Sequence, residues 1–259
     1  MIIEVIGPAG SGKTTFVKNI YLANKSFDNG ETAAFRGLLN CPEVNVRFVK
    51  LLQWIPVRLA FRLRLTKMTH FYRDQLLRSS YMTDFEPYVT HVFEAIQKIT
   101  ATNAEKLWLI DKCKDTITDY ILIKQPINND RVIFIDEFLV QKILSLYYLY
   151  DSSIKIDPDQ EEYLRLVPKP KAIVFLDTDI STASARVLAR GKGRPHVLKQ
   201  LSEQDFIETN KRFKLIEKKV CDYLSNEYDV QTIVTDNNLG LQETFKEISD
   251  VLHRRSKPS

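Results

Sequence analysis

Cysteine is scarce in this chain. Cys41, Cys113 and Cys221 are odd in number, far apart and contain no Cys-x-x-Cys pair. That excludes a disulfide framework and a thiolate zinc site, and suits a reducing, cytoplasmic setting. The four histidines, His70, His91, His196 and His253, show no metal-ligand spacing. Long apolar runs are missing too. None approaches the roughly 20 residues of a membrane span, and the first, Ile2 to Ile6, runs straight into glycine, unlike a signal peptide. Nor is one sign of charge in large excess. A net charge of +4 with 27% charged residues suits anionic ligands but is far from a nucleic-acid tail, so no specific nucleic-acid contact is expected. Repeats and low-complexity tracts are absent, and only the final RRSKPS reads as a frayed tail.

Glycine is also sparse, at eight residues, yet Gly7, Gly10 and Gly12 fall in one short stretch, GPAGSGKTT. The stretch matches G-x-x-x-x-G-K-[ST] without departure, behind a short apolar strand and ahead of a helical pattern in which Phe16, Val17 and Ile20 recur. Glycines there let consecutive N–H groups turn inward around an anion at a helix N-terminus. Gly7, Pro8, Ala9, Gly10, Ser11, Gly12, Lys13, Thr14 and Thr15 are therefore the candidate phosphate-binding residues. Lys13 would supply a point charge for the β- and γ-phosphates, and Thr14 a hydroxyl for Mg²⁺.

Four further strands are expected, at Glu31 to Leu38, Arg131 to Ile135, Lys171 to Asp177 and Asp229 to Thr235. Three are β-branched apolar runs ending in Asp with helical patterns between them, which reads as a parallel α/β sheet covered on both faces. Ligands of such sheets lie beyond the strands' carboxyl ends, where Asp136, Asp177 and Asp236 fall. The interval 42–125 reads as a helical insertion with Tyr88, Val92, Phe93, Ile96 and Ile99 at helical spacing. A single domain over 1–259, with this insertion and a lid at about 190–202, suits the length.

Three constellations carry chemistry. Asp136 and Glu137 close the third strand; Asp136 could hold Mg²⁺, and Glu137 could orient or deprotonate a nucleophile. After the fourth strand, Asp179 or Ser181 would cap a helix bearing Arg186 and Arg190 on one face, and GKGRP with Arg194 forms a basic turn suited to closing over a triphosphate. After the fifth, Asp236 and Asn237 could lie near a nucleobase. Residues 46–67 hold Arg47, Lys50, Arg58, Arg62, Arg64 and Lys67 and no acid. That stretch reads as packing helices with solvated cations, as an anionic-membrane contact, or as arginines, Arg58 or Arg62, gripping an anionic substrate.

Through GPAGSGKTT, VIFIDE, IVFLDTDISTASARVLARGKGRP and VQTIVTDN the chain resembles P-loop nucleotide kinases, most of all thymidylate kinases and deoxynucleoside kinases. The resemblance spans about a third of the chain. It implies a P-loop NTPase fold, a doubly wound five-stranded parallel sheet with an Arg-bearing lid. It also implies ATP with Mg²⁺ and γ-phosphoryl transfer to a small acceptor, a nucleoside, nucleotide, sugar or other alcohol. By position, Thr14 and Asp136 would serve the metal, Arg186, Arg190 and Arg194 the lid, and Asp236 and Asn237 the base. Those families carry Arg where this chain has Glu137, which disfavours a monophosphate acceptor. Arg36 and Glu43 are candidate acceptor contacts. The rival is an ATPase coupling hydrolysis to a partner or conformational cycle, which adjacent Asp136 and Glu137 would also suit. A GTP switch lacks its Asn-Lys-x-Asp motif. Oligomeric state is not legible.

Overall fold

The runs IIEVI, VIFID, AIVFL and QTIVT become strands β1 (Ile2–Ile6), β3 (Val132–Asp136), β4 (Ala172–Leu176) and β5 (Gln231–Thr235) of one sheet. The structure is a computed structural model and describes residues 1–24, 26–41, 56–62, 76, 80–151, 153–190, 198–235 and 248.

The second strand differs from the sequence expectation. It is the three-residue β2 (Phe27–Asn29), and the stretch expected as a strand, Glu31 to Leu38, lies within helix α2 (Gly30–Leu39). The cause is local. The Asn29 side chain accepts the Thr32 N–H at 2.9 Å, an N-cap that starts a helix rich in Ala and Leu. Ala33, Ala34, Phe35 and Leu38 are then buried on one helical face rather than alternating across a sheet.

The sheet is five-stranded and all parallel, ordered β2-β3-β1-β4-β5. Helix α1 (Lys13–Ala23) carries the chain from β1 leftwards to β2, whereas every later connection moves rightwards. Right-handed crossovers therefore place α1 on one face and the later helices on the other. The core divides accordingly. Ile3, Val5, Phe134 and Val174 pack with Phe16, Val17 and Ile20 of α1. The alternate residues Ile6, Ile133, Ile135, Ile173 and Phe175 meet α2, α4 (Glu86–Lys98), α5 (Asn103–Ile123), α6 (Pro158–Leu166) and α8 (Glu203–Tyr228). Glu4 has the register of this second face.

Between β2 and β3 the described residues hold α2, the short α3 (Val57–Arg62), α4 and α5, and no strand. Helices α2 and α5 approach so closely that a Cβ on Gly37 would fall 1.9 Å from the Leu122 carbonyl oxygen. A last helix, α7 (Ile180–Leu188), follows β4 and is capped by Asp179, which accepts the Thr182 N–H at 2.9 Å. Among the described residues no helix is long and apolar enough to cross a membrane.

Candidate functional site

Strand β1 ends at the loop Gly7 to Gly12, where the chain turns through left-handed backbone at Gly10 (φ 90°) and Gly12 (φ 92°). Glycine is required at position 10 on two counts. Its φ is costly for an L-residue, and a Cβ would lie 2.0 Å from the Ala183 carbonyl oxygen. Gly12 is the N-cap of α1 and brings no side-chain cap, so the first-turn N–H groups are left to meet an anion. Lys13 folds back over the loop, its Nζ donating to the carbonyls of Gly7 (2.6 Å) and Pro8 (3.3 Å). Thr14 Oγ1 donates to Asp136 Oδ2 at 2.6 Å, tying the loop to the end of β3.

Helix α8 supports the loop from beneath. Asn210, fully buried, accepts the Ala9 N–H at 2.9 Å and donates to the Ala9 carbonyl at 3.0 Å and to Ser184 Oγ at 3.2 Å. Two turns on, Glu217 Oε1 accepts the Gly7 N–H at 3.3 Å and the Gln141 side-chain N–H at 2.6 Å. The Gln141 amide also donates to the Gly7 carbonyl at 3.2 Å, while its backbone N–H and that of Val140 go to the Glu4 carboxylate (2.9 and 3.1 Å). Glu4 thereby satisfies donors at the start of the helical segment that follows β3. Burial pushes both carboxyls up to about 7; in Glu217 the nearby Lys13 ammonium opposes the rise.

Glu137, immediately after β3, has φ 54°, a left-handed conformation that is costly for a non-glycine residue. In this conformation its carboxylate lies 3.5 Å from Lys13 Nζ with 64% of the side chain exposed. The Lys13 charge lowers its pKa, and Arg190 adds a smaller lowering pull.

Two cavities meet at Glu137. One, about 270 Å³, lies past the ends of β2 and β3 and is lined by Thr14, Glu31, Phe61, Thr116, Asp136 and Phe138 among others. The other, about 350 Å³, is bounded by the loop, Lys13, Trp108, Gln141, Phe213 and Glu217. Both open at the carboxyl edge of the sheet beside the β1/β3 junction, where the connections change direction and ligands of open α/β sheets bind. Among the described residues no group of three His, Cys, Asp or Glu could hold a metal. The Thr14 hydroxyl and Asp136 carboxylate are hard oxygen donors, which suits Mg²⁺, an ion that keeps most of its waters.

The structure thus brings together Lys13, Thr14, Asp136 and Glu137, with Arg190 near Glu137. It does not place Arg186 and Arg190 on one helix face: α7 ends at Leu188, so Arg190 lies beyond it, and both arginines are exposed. Arg194, Asp236, Asn237 and Glu43, and most of the basic stretch 46–67 with the centre of the expected lid, lie outside the described residues. Two candidate substrate contacts are engaged elsewhere. Arg36 pairs with Asp28 at 2.8 Å and donates to Asn128 at 3.0 Å. Arg58 caps the end of α1, donating to the Tyr21 and Asn24 carbonyls at 3.0 Å each and lying over the Tyr21 ring. Asp177 pairs with Lys214.

Sequence reasoning missed Asn210, Glu217, Gln141 and Glu4. A signal existed for three of them. Asn210 and Glu217 are polar residues in the buried stripe of α8 that runs through Phe206, Ile216, Val220 and Leu224, and Glu4 interrupts an apolar strand.

No family model and no curated protein matches the chain. Among solved structures it is similar to deoxyadenosine kinase from M. mycoides. The form with the products dCMP and a flexible dCDP shares 16% identity, over 98% of this chain and 99% of that one, at a TM-score of 0.46. The form with bound dCTP shares 17% (98% and 100%, TM-score 0.45), and the form with bound dATP 14% (97% and 99%, TM-score 0.45).

Proposed function

We propose that the chain is an ATP-dependent kinase that transfers a phosphoryl group to a hydroxyl of a small acceptor. The observation that carries the reading is the 2.6 Å hydrogen bond from Thr14 to Asp136 at the head of an uncapped helix, with Lys13 beside it. Loop N–H groups from Gly10 to Thr15 and the Lys13 ammonium bind the donor's phosphates; Thr14 and Asp136 hold Mg²⁺. When bound, the ion neutralises charge on the phosphates. Lys13 exchanges its loop carbonyls and Glu137 for the donor, which frees Glu137 to orient the acceptor hydroxyl or take its proton. Arg190 lies near enough to Glu137 to add positive charge there, and Arg186, Arg194, Asp236 and Asn237 remain assigned to lid and base.

The strand order supports a place for each substrate. Strands β4 and β5 lie on one side of β1 and its loop and β3 and β2 on the other, which leaves the cavity past β2 and β3 for the acceptor, with Phe61 and Phe138 as apolar walls and Glu31, Glu137 and Asp136 as polar ones. The ATPase reading keeps one observation in its favour, the Lys13 and Glu137 pair, since such a carboxylate can equally orient water.

The test is turnover of MgATP by the purified protein, alone and with pooled nucleosides, nucleoside monophosphates and sugars, followed by mass spectrometry. A new phosphorylated compound that appears with ADP is expected, and it names the acceptor. ADP and free phosphate alone, unchanged by every pool, would replace the kinase with the ATPase.

A further inference from the structure

Beneath the phosphate loop the hydrogen-bond inventory does not balance. Glu217 and Gln141 are joined by a 2.6 Å hydrogen bond, and each retains a buried oxygen without a partner, Glu217 Oε2 and Gln141 Oε1. Two orphan acceptors in one pair of buried side chains leave that pair short of a donor, and orphaned buried acceptors are costly. A proton on Oε2 would supply that donor. What keeps the carboxyl partly ionised is Lys13, the main charge acting in that direction, whose ammonium now rests on Gly7 and Pro8.

We propose that Glu217 is, with Asn210, a positioning residue of the phosphate loop, and that polyphosphate binding there is linked to uptake of a proton by its carboxyl. The inference rests on the phosphate-site reading above. In the free protein the carboxylate shares the field of Lys13 and holds the Gly7 N–H. An arriving triphosphate brings several negative charges into the loop and draws the Lys13 ammonium to itself. Both changes disfavour a second anion a few bonds away in a poorly solvated place, so Oε2 takes a proton from solvent while Oε1 keeps Gly7. No bond other than O–H forms, and the buffer supplies the proton.

The neighbouring groups do not reverse the sign. Glu137, after β3, carries like charge and also raises the carboxyl's affinity for a proton. Lys112 of α5 and Lys142 line the same cavity. Cys221, one turn along α8, and Glu4 of β1 complete the buried set; burial raises the pKa of both.

Isothermal titration of MgATP into the protein, in buffers of low and high ionisation enthalpy, reads the linkage directly. With the free carboxyl near half ionisation, uptake of roughly half a proton is expected at pH 7, more at pH 8 and almost none at pH 5.5. Glu217→Gln keeps an oxygen for Gly7 and places an N–H donor beside Gln141, so it should still bind MgATP while losing this buffer dependence. Equal proton numbers in the two proteins would overturn the inference and leave the phosphate site standing. If the variant does not fold, a wild-type proton number that is constant from pH 5.5 to 8 overturns it equally. Absence of any heat with folded wild-type protein removes the phosphate-site reading, and the inference with it.

Discussion

A single backbone angle makes Glu137 informative. An L-residue in the left-handed region costs about 1–2 kcal/mol, and the chain accepts this next to Lys13, where a glycine would sit without strain. Glu137→Gly should therefore raise stability in urea unfolding by about 0.5–1 kcal/mol, the strain relieved less the added chain entropy of glycine. The same substitution should cut phosphoryl transfer by about 10²-fold or more if the carboxylate acts on the acceptor. Lower stability with unchanged turnover would show instead that the angle serves packing. Lys13→Ala removes the ammonium that lies over the loop and should lower turnover by about 10²–10³-fold with the fold intact. Near-full activity in that variant would refute the site.

At the scale of elements, the site depends on helices from outside the strand, loop and helix that form it. Helix α8 reaches the loop through Asn210 and Glu217, seven residues apart and so on one helix face. Helix α2, read as a strand from sequence, instead packs its Gly37 against the Leu122 carbonyl of α5. Alanine favours a helix over glycine by about 1 kcal/mol, but here its methyl would meet backbone that cannot yield unless the helices separate. Gly37→Ala should therefore destabilise by about 2 kcal/mol or more in urea unfolding, while the folded fraction binds MgATP as before. A stabilised variant would mean that the two helices lie farther apart than described.

Across the whole molecule, burying Glu4 and Glu217 sets a pH dependence. Both carboxyls are pushed up to about 7, so between about pH 4.5 and 7 the folded protein keeps protons that the unfolded chain has already lost. Their contribution to stability is full below the ordinary carboxylate range and is lost as pH rises through 7, on the order of 2–4 kcal/mol for each group. Unfolding in urea should therefore show stability falling from pH 5 to 7 and levelling above, with a shallower fall in Glu4→Gln. A wild-type protein whose stability rises steadily across that interval would contradict the burial of these acids.

How much of this was legible beforehand depends on whether the signal is local. GPAGSGKTT and the strand runs ending in Asp136 and Asp177 are short-range patterns, because loop and strand are built from neighbours in sequence, and the sequence alone determined them; it offered Asp179 or Ser181 as a helix cap, and the hydrogen bond from the Thr182 N–H selects Asp179. The boundary between β2 and α2 was not legible because the short mixed stretch ETAAFRGL, with Ala33, Ala34, Phe35 and Leu38 as its apolar residues, fits a strand or one face of a helix, and the Asn29 cap decides for the helix. Arg36 and Arg58 looked free to bind substrate only while Asp28, Asn128 and the end of α1 were distant in the chain. The clamp by Asn210 and Glu217 joins residues some 200 positions apart, and the pairing of Lys13 with Glu137 more than 120. Such contacts arise only when the sheet brings β1, β3 and α8 to one edge, since a side chain's hydrogen-bond partner and electrostatic field are properties of the packed fold.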